Sequence, residues 1–184
     1  MKRRWLSLVG VFVVVGLLAG SWYDLQAAGK EAEIIGSAKC KKCHKGAKKG
    51  TQFEIWQEST HAKAYLALAS EAALAIAKEK GIENPQEEAE CLGCHTTAGA
   101  LPGVATDVKY KASEGVGCEA CHGAGSLYKK KKVMEDRDKA VAAGLIIADQ
   151  ETCVQCHNDK CSMYKEFDFE ARWEKIAHPT PTTE

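Results

Sequence analysis

The sequence predicts a mostly α fold in which short helices alternate with long loops. Apolar residues recur at helical spacing, capping residues stand before them, and no stretch alternates as a half-buried strand would. The 184 residues suit one domain, or two very small ones. Apolar content of 45% and charged content of 27% exclude wholesale disorder. Twenty-five basic residues balance 25 acidic ones, so nothing points to nucleic acid.

Each element has a local reason. Thr51-Gln52-Phe53-Glu54 reads as a capping box that starts a helix. A longer helix is expected from about Thr60 to Lys80, with Tyr65, Leu68, Ala72 and Ile76 on one face and Gly81 as its stop. Asn84-Pro85-Gln86-Glu87 reads as another start, leading into a helix that carries Cys91. The small residues from Thr96 to Tyr110, with Pro102-Gly103 among them, read as loop. Lys129 to Ala143 is expected to be helical. Asp149 can cap a short helix bearing Cys153, and Asp168 to Ala177 reads as the last helix.

The first segment is for targeting. Met1-Lys2-Arg3-Arg4 is a basic start, and Trp5 to Ala19 is almost wholly apolar. That is the pattern of an export leader, with residues 1–27 as signal peptide and 28–184 as the working domain. Residues 5–23 are also close to the length of a membrane anchor, so an uncleaved leader is the alternative. Removal of 27 residues leaves 157, with 22 basic and 24 acidic side chains.

Eight of the nine cysteines form four Cys-x-x-Cys pairs, each followed at once by histidine. They are Cys40/Cys43/His44, Cys91/Cys94/His95, Cys118/Cys121/His122 and Cys153/Cys156/His157. Histidine fills 6 of 184 positions, so four such placements by chance have odds of roughly one in a million. Two thiols at this spacing can add to the two vinyl groups on one edge of a haem, and the next residue then offers its imidazole to the iron. This is the attachment pattern of c-type haem. A zinc site does not need a histidine after each pair. A thioredoxin-like site needs a βαβ setting, and a disulfide scaffold leaves the histidines unexplained. Four covalently bound haem c groups are therefore expected. Thioether formation follows export, which agrees with the leader and places the protein in the periplasm.

Four haems in 157 residues leave about 39 residues to enclose each. A chain this lean gives no ring its own pocket. The expected fold is thus a compact multihaem cytochrome c, with helices and long loops wrapping four closely packed haems that form much of the apolar core. His44, His95, His122 and His157 are the proximal ligands, and only His61 and His178 remain as distal imidazoles. Met134 is a further candidate ligand, while Met163 and Cys161 read as packing or free side chains. Lys39, Lys41, Lys42, Lys45, Lys48 and Lys49 crowd the first motif, and Glu83, Glu87, Glu88 and Glu90 precede the second. The lysines read either as solvated surface or as a face that docks an acidic redox partner.

The chain resembles the exported tetrahaem cytochromes of the cytochrome c-554 family. Four stretches carry the resemblance: Trp56-x-x-Ser59-x-His61-Ala62, Glu90-Cys91-Leu92-x-Cys94-His95, Gly115 to Ser126 around the third motif, and Cys153-x-x-Cys156-His157-Asn158. The resemblance implies closely stacked haem pairs with roughly perpendicular steps between them. It implies respiratory electron transfer between redox proteins, with a membrane quinone-linked cytochrome as one possible partner. It also implies three bis-histidine haems and one with an open axial position, which two spare histidines cannot satisfy. Leu127-Tyr128 stands where relatives can carry a ligand histidine, so the third haem is expected to need another donor, with Met134 as the substitute. The second haem, at His95, is expected to be the open one. The rival function is reduction of a small nitrogen-oxide molecule at a five-coordinate haem. A third is service as a haem subunit of a larger complex.

Overall fold

Among the described residues, regular structure starts with a strand, β1 (Glu33–Ile34), which pairs in parallel with β2 (Ala105–Thr106). Glu33 lies opposite Ala105 and Ile34 opposite Thr106. The structure is a computed structural model and describes residues 30–161 and 163–178. The compact unit that carries the motifs begins at Ala32. The leader reading, residues 1–27, lies outside the described residues. Among those described, no helix is long and apolar enough to cross a membrane.

The fold is mostly helical, as expected, and β1 and β2 are its addition. Two residues per strand leave no room for a visible alternation. The pairing nonetheless buries Ile34 completely and Ile35 nearly so, which fixes the segment leading into the first motif. That segment continues into α1 (Ser37–Cys40).

A helix starts at Gln52 as expected, but without the predicted capping box. Thr51 has φ 54° and makes no side-chain cap to α2 (Gln52–Glu58). Glu54 reaches back instead to the Gly46 N–H at 3.0 Å. The predicted helix from Thr60 to Lys80 is three pieces: a 3-10 turn at His61–Lys63, α3 (Ala64–Ala67) and α4 (Glu71–Glu79). Ser70 breaks the run, because its hydroxyl accepts from the Ala73 N–H and caps α4. Gly81 ends α4 as expected, at φ 71°.

Asn84-Pro85 forms a turn rather than a helix start. The Asn84 side chain accepts from the Gln86 N–H, and α5 (Ala89–His95) begins only after Glu88. The predicted loop that follows contains α6 (Thr97–Ala100), capped by Thr96, as well as β2. The α5–α6 approach is very close: a Cβ on Gly99 would lie 2.0 Å from the Leu92 carbonyl oxygen. After α7 (Cys118–His122), the predicted helix from Lys129 splits into α8 (Lys131–Met134) and α9 (Arg137–Ala142). Asp136 caps α9 and so ends α8. Asp149 and Asp168 cap α10 (Gln150–Val154) and α11 (Phe169–Ile176), as their sequence implied.

Candidate haem-binding site

All four motifs fold the same way. The first cysteine lies on a short helix, and the chain makes one more helical turn to the histidine. In the first motif the N–H groups of Cys43 and His44 both donate to the Cys40 carbonyl, at 3.0 Å. In the fourth, those of Cys156 and His157 donate to the Cys153 carbonyl. The second and third motifs lie wholly inside α5 and α7. Residues three and four apart share one face of such a turn. Both thiols and the imidazole of each motif therefore address the same side, which is what thioether attachment beneath one ring requires.

Distant motifs are brought together in pairs. The Cys40 and Cys118 thiols lie near enough to shift one another's titration. Cys94 lies as near to Cys156. Cys121 is near enough to Cys153 and Cys156 for electrostatic coupling. Neighbouring attachment sites thus run in the order first, third, fourth, second. Burial raises the thiols of Cys153, Cys121 and Cys156, Cys121 to about 11 and Cys156 to about 12. Thioether formation would remove this titration altogether.

The spare histidines face two of the motif histidines. The His61 and His157 ring centroids are 6.0 Å apart, with their planes at 73°. Those of His122 and His178 are 5.9 Å apart, at 68°. Two imidazoles bound trans to one metal ion, with metal–nitrogen bonds of about 2 Å, place their centroids about 6 Å apart. His61 with His157, and His122 with His178, would thus each be placed to hold one haem iron.

Ring orientation supports this. His95 Nδ1 lies 2.7 Å from the Ala64 carbonyl oxygen, and His122 Nδ1 lies 3.0 Å from that of Ile146. A carbonyl only accepts, so Nδ1 carries the proton and Nε2 is left for metal. His178 is tied in the same way to the Ile176 carbonyl, at 3.0 Å. The His157 ring stacks on Phe167, with centroids 4.6 Å apart. Burial lowers His44, His61, His122 and His157, with neighbouring cationic groups adding to it, which favours the neutral ligand form.

His178 therefore faces the histidine of the third motif, where the sequence offered Met134 as a substitute donor. Met134 ends α8, half-buried, and Met163 is 61% exposed. Leu66, Val141, Ile146, Ile147, Val154 and Trp173 are exposed.

Sequence reading missed the clamp behind His61. The Trp56 indole N–H donates to the Val116 carbonyl at 2.8 Å, and the Val116 N–H donates to the His61 carbonyl at 3.0 Å. The Ser59 hydroxyl donates to the Trp56 carbonyl at 2.6 Å. Two of the stretches singled out in the sequence are thus bonded to each other. Also missed was Glu119, inside the third motif and 1% exposed. Its carboxylate accepts from the N–H groups of Ile35, Gly36 and Gly125. It ties β1 and α1 to α7. Glu114 adds a second tie, accepting from the Ser37 N–H and hydroxyl, while the Ser37 hydroxyl oxygen accepts from the Cys118 N–H.

Comparison with known proteins finds similarity to cytochromes. The family model for cytochrome c554 and c-prime matches residues 39–123. Cytochrome c-554 of Nitrosomonas europaea (strain ATCC 19718 / CIP 103999 / KCTC 2705 / NBRC 14298) is 27% identical over 165 residues, spanning 80% of this chain and 68% of that protein. No solved structure matches the chain.

Proposed function

We propose, from the premise that the chain belongs to the cytochrome c-554 family of c-type electron-transfer proteins, that it is a periplasmic tetrahaem carrier passing electrons between respiratory redox proteins. Haem supplies one-electron iron chemistry when bound. The chain supplies tethers, ligands and spacing. Cys40/Cys43, Cys91/Cys94, Cys118/Cys121 and Cys153/Cys156 would hold the four rings. His44, His95, His122 and His157 would be proximal ligands, with His178 opposite His122 and His61 opposite His157.

The observation that carries the reading is the pair of imidazole gaps, 6.0 and 5.9 Å, each joining a motif histidine to a histidine far away in sequence. Contact between the attachment cysteines supports a continuous row of centres, as a carrier needs. The open position is assigned to His95. The lysines from Lys39 to Lys49 form a basic docking face for an acidic partner. Lys41 lies over the Phe53 ring, 5.0 Å from its centroid, and the Lys49 ammonium donates to the Lys42 carbonyl.

A reductive titration of the holoprotein tests this. Uptake of four electrons per chain, with electron exchange to an acidic partner slowed by salt, supports the carrier. Rapid turnover of a nitrogen-oxide substrate in place of exchange with a protein partner would favour the reductase.

A further inference from the structure

We infer that the first motif gives its iron one protein ligand, His44, and presents the opposite side to a small exogenous anion, making a second ligand-accepting centre besides that at His95. The inference rests on the tetrahaem reading above.

Both spare imidazoles are committed elsewhere, His178 to His122 and His61 to His157. All six histidines of the chain lie among the described residues. His44 is held by a different kind of contact. Its ring lies within electrostatic reach of His122, His178 and Lys49 and against the side chain of Gln52, a buried residue at the start of α2, while His178 faces the His122 ring. A side-chain amide fixes the orientation of a ligating imidazole without competing for the metal.

Tyr128, like Glu119 and Glu114, lies near the first attachment point. It is 5% exposed and near enough to Cys40 to be influenced by it. Its hydroxyl donates to the His122 and Gly123 carbonyls, at 3.0 and 2.6 Å. A phenol whose proton is engaged by two carbonyls is a poor donor to iron.

The surroundings select the class of ligand. Lys39, Lys41, Lys42, Lys45, Lys48 and Lys49 all lie within ten residues of one another around His44. Their summed field draws small anions, of which cyanide and azide are the simplest that bind ferric iron.

Two counts on the holoprotein test the inference. Alkaline pyridine spectra give haems per chain, and carbon monoxide uptake after dithionite reduction gives ligand-accepting irons per chain. The expected result is four haems and two carbon monoxide molecules, with cyanide binding to one ferric site weakened several-fold by added salt. The Cys40→Ala/Cys43→Ala double variant, unable to tether the first haem, is expected to hold three haems and one carbon monoxide. A wild-type chain with four haems and only one carbon monoxide overturns the inference. So does a double variant with three haems that still takes up two. The wild-type count decides the matter even if the variant fails to fold. Fewer than four haems in the wild type would instead overturn the tetrahaem reading beneath it.

Discussion

The Val116 N–H donates to the His61 carbonyl at 3.0 Å, and Gly115 just before it leaves no space for a side chain. A Cβ there would lie 2.5 Å from the same carbonyl oxygen, and φ is +73°. Both facts demand glycine. Gly115→Ala is expected to cost roughly 1–3 kcal/mol through backbone strain. It should also displace His61 from His157, raising the high-spin share of the ferric spectrum. Thermal unfolding together with that spectrum checks both effects. An unchanged spectrum would detach the clamp from ligand placement.

The paired histidines make a sharper prediction. His61→Ala and His178→Ala should each convert one low-spin haem to high spin, and the double variant should convert two. Met134→Leu should leave the low-spin count unchanged, because His178 already faces His122. Paramagnetic resonance of the oxidised proteins counts each species. Loss of a low-spin centre in Met134→Leu would restore the methionine as a ligand.

Glu119 holds three backbone N–H groups in a site from which water is excluded. Glu119→Ala strands them, and each buried unpaired group costs about 1–3 kcal/mol. The expected loss is roughly 3 kcal/mol or more, read from denaturant unfolding of the holoprotein. A loss of only a few tenths would mean that the carboxylate is not a tie between β1 and α7.

Glu114 links stability to pH. Burial holds its carboxyl above the ordinary carboxylate range, and nearby Glu119 adds to this against the opposing hydrogen bonds from Ser37. The unfolded chain titrates in the ordinary range, so the folded state binds the proton more tightly. The resulting stabilisation is complete below the ordinary carboxylate range and is lost as pH rises through the folded value. Tyr110 and Glu119 are the titratable groups electrostatically coupled to it once Cys40 and Cys118 are thioethers. Unfolding free energy across that window should fall with pH in the wild type and fall less in Glu114→Gln. Identical slopes would remove Glu114 as the source.

The motifs, their helical turns and the caps at Asp149 and Asp168 were legible in the sequence because each is a local matter, settled within four residues. The pairing of His61 with His157 and of His122 with His178 was not, since nothing local links such distant segments. Thr51 failed as a cap for a related reason. Glu54, which the capping box needed, is drawn to the Gly46 N–H instead. The burial of Glu119 was hidden because a glutamate between two cysteines reads as surface until the donors from Ile35, Gly36 and Gly125 are seen around it.

Intact mass of the exported, matured protein, taken beside its visible spectrum, tests the central claim most directly. The account predicts a polypeptide heavier by four covalently attached haems, with a strong Soret band that stays with the chain under denaturing conditions. A mass equal to that of the bare polypeptide, or a pigment released on denaturation, would contradict it.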